Sequence, residues 1–259
     1  MSIAQPVSPA PQLKFFDAFV RLGAVKQPPP GHDPSVEALL NAMDMAGIES
    51  ALAASAETDM SSPVTANALI AEICAMQERL HPVWTILPPQ TGEMPVAELL
   101  EGMRQHGVHA LRADPQQARY QLNRLTFGEL FDELIERHIP LFVQAMPADW
   151  PQVTALLQET PELTVVACDM GPWGTDRSFR PLLEHFPNFY IEISNYELDG
   201  GITAFVDRYG PDHMLYGSAW PFRPMGGASL RLRNEPISMD AKEKIAHANL
   251  ERLLREAIL

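Results

Sequence analysis

Cysteine is nearly absent from this chain: Cys74 and Cys168 are the only two in 259 residues, far apart and each inside an apolar run. That excludes a disulfide framework or a zinc knuckle and makes a reducing cytoplasm the expected compartment. Basic residues are scarce too, with 19 Lys and Arg against 33 Asp and Glu and a net charge of −14. Nucleic acids and anionic bilayers are bound through clustered cations, so neither is an expected partner, and the acidity reads as solubility. No uninterrupted apolar run approaches the roughly 20 residues needed to cross a bilayer. The first twelve residues, MSIAQPVSPAPQ, lack the charged start and apolar run of a secretory signal. Small, polar and proline-rich, residues 1–12 are expected to form a disordered leader. Eight histidines are present, but none stands at His-x-His or His-x3-His spacing.

What is there is a repeated alternation of strand-like and helix-like segments. The stretch LKFFDAFVRLG, residues 13–23, is rich in Phe and Val and bounded by a proline-rich tail and a glycine, which favours a strand. A loop with three prolines follows. Asp33 then reads as an N-cap with Pro34 at the first helical position, and Val36, Leu39, Leu40, Met43 and Ala46 recur at helical spacing. Further strands are expected at 49–54, 82–87, 108–112, 140–145, 163–168, 188–193 and 214–216. Helices are expected at 64–79, 96–106, 127–138, 150–159, 180–185, 202–209 and 240–258, the last capped near Ser238 or Met239. Eight such alternations with short connections imply parallel strands and helical crossovers, hence a single-domain (β/α)8 TIM barrel over 13–259. The length suits a fold of about 250 residues. A doubly wound sheet is the runner-up.

In a barrel of this kind the working residues lie at the C-terminal strand ends. The first strand resembles the opening Asp-x-His-x-His strand of the metal-dependent amidohydrolase-related family. Aligned on Asp17 and Gly23, its histidine positions hold Phe19 and Arg21. The segment IPLFVQAM is similar to the family strand in which a histidine stands at Gln144. LTVVACDMG is similar to its His-x-Gly ending, with Asp169 in the histidine position. HMLYGSAWPF is close to its Gly-Ser-Asp-x-Pro, with Ala219 replacing the aspartate that would ligate metal and handle the proton of the attacking water. HANLERLL resembles its last segment, so the resemblance runs from Leu13 nearly to the end. It implies the barrel fold but not the metal. Phenyl has no lone pair, guanidinium is a permanent cation, and only Asp169 among these residues is a good ligand. No metal and no other cofactor is therefore expected.

Three readings of function stay open, the third being that the alignment slips and a metal sits elsewhere in the chain. In the first, the chain is a metal-independent hydrolase or lyase acting on a small, carboxylated or lactone-type molecule. Asp169 is its general base and Arg21, together with Arg112, holds the substrate carboxylate by its planar fork, with Phe19, Gln144, Trp173 and Trp220 also binding substrate. Arg21 is expected to pair with Asp169. In the second, the chain is a catalytically silent family member serving as a partner subunit or ligand-binding scaffold, as a homo- or hetero-oligomer. Glu57, Tyr196 and Phe222 are weaker candidates for the pocket, and segments 114–125 and 222–236 are expected to cover it as lids.

Overall fold

The computed structural model describes residues 13–171 and 174–259, so the leader expected at 1–12 lies outside the described residues. The strands are β1 (Phe16–Leu22), β2 (Ser50–Ser55), β3 (Leu80–Pro82), β4 (Trp84–Thr85), β5 (Leu111–Ala113), β6 (Leu141–Gln144), β7 (Val165–Cys168), β8 (Phe189–Glu192) and β9 (Met214–Leu215). All pair in parallel. They form a 3-stranded sheet β1-β2-β3 and a 6-stranded sheet β4-β5-β6-β7-β8-β9. The expected third strand is thus split. Pro82 cannot donate to a ladder, and the pairing changes partner beside it: β3 pairs with β2, whereas β4 pairs with β5. The seam is closed by the Val83 N–H, which donates to the Ala53 carbonyl at 3.0 Å. At the other seam, Ala18 and Arg21 donate main-chain bonds of 2.9 Å to Tyr216 and Trp220, and Ala219 donates to Phe19 at 3.0 Å. These bonds join first strand to last, as the expected barrel requires.

Between the strands run α1 (Val36–Ala46), α2 (Pro63–Ala75), α3 (Val96–His106), α4 (Pro115–Ala118), α5 (Arg124–Glu136), α6 (Trp150–Glu159), α7 (Asp176–His185) and α8 (Gly201–Tyr209). The chain ends in α9 (Met225–Asn234), α10 (Met239–Glu243) and α11 (Asn249–Glu256). Ser35, not Asp33, caps α1: its hydroxyl accepts from the Ala38 N–H at 3.1 Å, while Asp33 accepts from Ser35. Ser238 caps α10 as expected. A π-helical turn, Lys244–Ala248, separates α10 from α11, and its Ile245 carbonyl accepts from the Tyr216 N–H at 2.9 Å. The helical end is in this way bonded to the last strand. Neither expected lid is an open loop. Segment 114–125 contains α4 and buries Asp114, Pro115, Tyr120 and Leu122, and segment 222–236 contains α9, which buries Met225, Ser229 and Leu232.

Strand side chains alternate between two cores, as a period of two demands. Phe16, Ala18, Leu52, Ala54, Phe142, Val166, Cys168, Tyr190 and Leu215 pack inside the barrel, with Leu250 and Leu253 of α11 against them. Val20, Leu22, Ala51, Ala53, Leu141, Val143, Val165, Ala167, Phe189 and Ile191 pack outward under the helices. In β1 the inward set is even-numbered before residue 19 and the outward set is even-numbered after it. A register shift between Asp17 and Val20 is the cause. Such a bulge re-aims every later side chain, and here it turns Phe19 and Arg21 to the interior.

Asn67 of α2 supplies what the split third strand lacks. Its side-chain amide donates to the Thr85 carbonyl and accepts from the Thr85 N–H, each at 2.9 Å and fully buried. Asn67→Ala strands both backbone groups, and a loss of about 2–4 kcal/mol is expected. Thermal unfolding should show a midpoint about 5–10 °C lower; an unchanged midpoint would mean that water replaces the amide at no cost.

Candidate active site

The mouth is built from the upper layer of inward-facing side chains. After Ala110, β5 turns Arg112 inward, and Asp114 follows it at the start of α4. Arg112 and Asp114 are only 2% and 3% exposed. The Arg112 Nε donates to both carboxylate oxygens of Asp114, at 2.8 and 3.0 Å. Its guanidinium lies 4.6 Å from the centre of the Phe19 ring, a cation–π contact in a water-poor setting. Arg21 approaches the same carboxylate at 3.7 Å and donates to the Thr58 hydroxyl at 3.0 Å. Burial alone would raise the pKa of Asp114, but the two guanidinium groups override it and hold the carboxyl below its usual range. Arg112 is likewise held above the usual range by Asp114 against the effect of burial.

The ion pair expected between Arg21 and Asp169 does not form. Asp114, at the start of an ordinary-looking polar stretch, takes Arg21 instead, because the strand end holds it between the two arginines. Asp169 follows β7 in a left-handed backbone conformation, φ 51°, which an aspartate tolerates better than most residues. It is partly exposed, and one carboxylate oxygen accepts from Gln144 at 3.0 Å. Burial raises its pKa, against the opposing influence of Gln144, Arg112, Arg21 and Arg223. Arg21, Arg112, Gln144, Phe19 and Asp169 are therefore brought to one mouth.

Trp220, Tyr196 and Phe222 do not join them. Trp220 is buried, with its ring 5.8 Å from that of His32 in the first βα loop, and Trp173 lies outside the described residues. Tyr196 donates to Asp176 at 2.8 Å and packs on Phe179, a link between β8 and α7 rather than a lining of the mouth. Phe222 faces solvent, and Glu57 lies against Gly23.

Two acids missed as site residues stand at the floor. Glu192, fully buried, projects from β8 on the same face as Tyr190, and its carboxyl accepts from the Ser194 hydroxyl at 2.8 Å and from the Ser194 N–H. Asp17, also fully buried, accepts through Oδ1 from the main-chain N–H groups of Phe19, 3.0 Å, and Ser218, 2.9 Å; its Oδ2 has no hydrogen-bond partner. Burial pushes Asp17 up to about 7 and Glu192 up to about 8, the latter helped by the neighbouring Asp17 charge. The available signal was a lone acid inside an apolar run, FFDAFV and FYIEIS. Beside this floor a recess of about 250 Å³ is lined by Ser194, Ser218, Glu197, Arg223 and Arg231.

A divalent ion does not fit this donor set. Its expected positions offer a phenyl ring, a guanidinium, an amide, one carboxylate and a methyl group, with a second guanidinium close by. Among the described residues no cluster of three or more His, Cys, Asp or Glu is arranged to hold a metal. Nor is any described helix long and apolar enough to cross a membrane.

Because Asp17 and Glu192 titrate higher in the fold than in the unfolded chain, the unfolded state releases their protons first. Their contribution to stability is present in acid and is lost as pH rises from about 4 through about 8. Urea unfolding at pH 5.5, 7 and 8.5 is expected to give midpoints that fall more steeply for the natural protein than for an Asp17→Asn/Glu192→Gln double variant. Parallel curves would show the two acids ionised throughout.

Among solved structures, an uncharacterised TIM-barrel protein from Bordetella bronchiseptica is similar at 23% identity and TM-score 0.76, over 94% of this chain and 99% of that one. A 2,6-dihydroxybenzoate decarboxylase from Rhizobium follows at 17% identity and TM-score 0.72, over 94% and 99%. A dihydroxybenzoic acid decarboxylase from Polaromonas with bound manganese superposes at 17% identity and TM-score 0.66, over 94% and 97%. At these identities the likeness speaks for the barrel alone. No curated protein matches the sequence. The amidohydrolase family profile, by contrast, matches residues 21–255, nearly the whole described chain. With that match joined to the barrel and to the strand-end segments, this chain belongs to the amidohydrolase family.

Proposed function

We propose that the mouth is the active site of a hydrolase that works without a bound metal on a small, flat, carboxylated molecule of lactone or aromatic type. One observation carries the reading: Arg112, buried at the mouth and fixed by Asp114, keeps an Nη2 with no hydrogen-bond partner, and its field reaches the partly exposed Asp169 carboxyl of raised pKa. A buried donor left open is costly unless something fills it, and a substrate carboxylate matches the planar fork. The aromatic carboxylates named for two of the structural neighbours have this chemistry.

Asp169 then acts on water. Its raised pKa makes the ionised carboxylate a stronger base than an exposed one. It accepts a proton from water as the water oxygen bonds to the lactone carbonyl carbon. The ring C–O bond breaks, and the departing oxygen takes the proton back, leaving a hydroxy acid and Asp169 ionised as before. Gln144 orients the carboxylate through its 3.0 Å bond. Phe19, held under Arg112, offers a ring face to the substrate.

The test is a screen of lactones and hydroxybenzoates in chelator-treated buffer, with Asp169→Asn and Arg112→Met alongside. The reading expects turnover unaffected by chelator. Asp169→Asn should lose at least about 10²-fold in kcat, the scale of general-base catalysis. Arg112→Met should raise KM about tenfold or more, since bonds to charged groups contribute about 1.5–3 kcal/mol. Turnover restored only by added zinc or manganese would overturn it. Tight binding of a carboxylate with no turnover would favour the ligand-binding scaffold.

A further inference from the structure

We propose that Asp17 and Glu192 are positioning residues of this centre: two buried carboxyls that hold the main chain beneath the mouth by accepting its amides from β1 and from the segments that follow β8 and β9. The proposal rests on reading the mouth as the active site. Asp17 joins β1 to the segment after β9, through the N–H of Phe19 at 3.0 Å and the N–H of Ser218 at 2.9 Å. Phe19 in turn accepts from the Ala219 N–H at 3.0 Å, which closes a small ring of bonds around the bulge. Glu192 accepts from both the hydroxyl and the N–H of Ser194. The two acids meet at residues 217–218. A Cβ on Gly217 would stand 2.1 Å from the Glu192 Oε1, so the carboxyl occupies space that only a glycine leaves, next to the Ser218 that Asp17 holds.

The main chain under Phe19 and Ala219 is thereby held by two acids on β1 and β8, the strands on either side of β9. No other described side chain bonds amides on both sides of the mouth in this way. The orphan Asp17 Oδ2 fits a protonated carboxyl better than an ionised one, since a bare buried carboxylate oxygen is costly. The charged or titratable groups whose fields reach Glu192 are Asp17 from β1, Cys168 from β7, Tyr216 after β9 and Arg231 from α9.

The experiment needs no substrate. Amide NMR and hydrogen exchange on the full chain compare the natural protein with Glu192→Gln, Glu192→Ala, Asp17→Asn and Asp17→Ala. The isosteric variants keep an acceptor oxygen and should leave exchange at Phe19, Ser194 and Ser218 within a few-fold of the natural protein. The alanine variants should accelerate it at least about a hundredfold at Ser194, or at Phe19 and Ser218, with α3 and α6 unmoved. In the natural protein the Ser194 amide should titrate above neutral pH, and Glu192→Gln should abolish that titration; this arm decides the matter if the alanine variants do not fold. Unchanged exchange in the alanine variants, or a titration that survives Glu192→Gln, would overturn the proposal. If no hydroxybenzoate or lactone binds or turns over, the functional reading fails while these amides still report on the acids.

Discussion

The mouth depends on a balance of charge inside a barrel wall, and the Arg112–Asp114 pair sets it. Both groups are almost wholly buried, and neither would be tolerated there alone, because an isolated buried charge costs several kcal/mol. Two bonds to Asp114 leave the Arg112 fork with one open end, while Arg21 brings a second cation to the same carboxylate. Both guanidinium groups thus address the Asp114 carboxylate, and the Arg112 Nη2 is the donor left open to an anion. Asp169, partly exposed and held by Gln144, is the group whose charge can change without disturbing that pair.

Local backbone geometry decides which side chains enter this balance. Without the register shift in β1, Phe19 and Arg21 would face the helices, and their polar or aromatic surface would sit in the outer apolar core. With it, Phe19 becomes a platform for Arg112 and Arg21 reaches Asp114. The positive φ of Asp169 and Ala219 does similar work at two other strand ends. Strained or irregular positions thus collect where the chemistry would be, while the lower barrel, filled by Phe16, Leu52, Phe142, Val166 and Leu215, is regular.

This division explains what could be read from the sequence. Strands buried on both faces appear as apolar runs, so segments such as 140–145 and 163–168 were recognisable as strands, and α3 and α6 have the bounds their periodicity implied. The helix α9 was not legible: MGGASLRLRN carries two glycines in its first turn and has little apolar periodicity, and its packing comes from tertiary contact through Met225, Ser229 and Leu232. Arg21, Arg112, Gln144 and Asp169 were legible as strand-end residues. Their pairing was not, because sequence spacing does not say that Asp114 falls between two arginines. Asp17 was visible only as an alignment anchor and Glu192 not at all, since burial is what gives an acid in an apolar strand its significance.

The same physics argues that the metal-binding form of this centre is far from this one. Placing histidines at 19 and 21 would supply two ligands but remove the ring under Arg112 and the second cation beside Asp114. Arg112 would remain, and a guanidinium fixed at the mouth repels a divalent cation in a medium of low dielectric. A carboxylate at 219 would also have to share its surroundings with Asp17 and Glu192, and since like charges raise one another's pKa, the new carboxyl would be pushed toward the protonated form that binds metal poorly. The arginine pair, the carboxyl floor and the missing ligands are one solution to the same charge balance, so changing any one of them toward a metal site makes the others unfavourable.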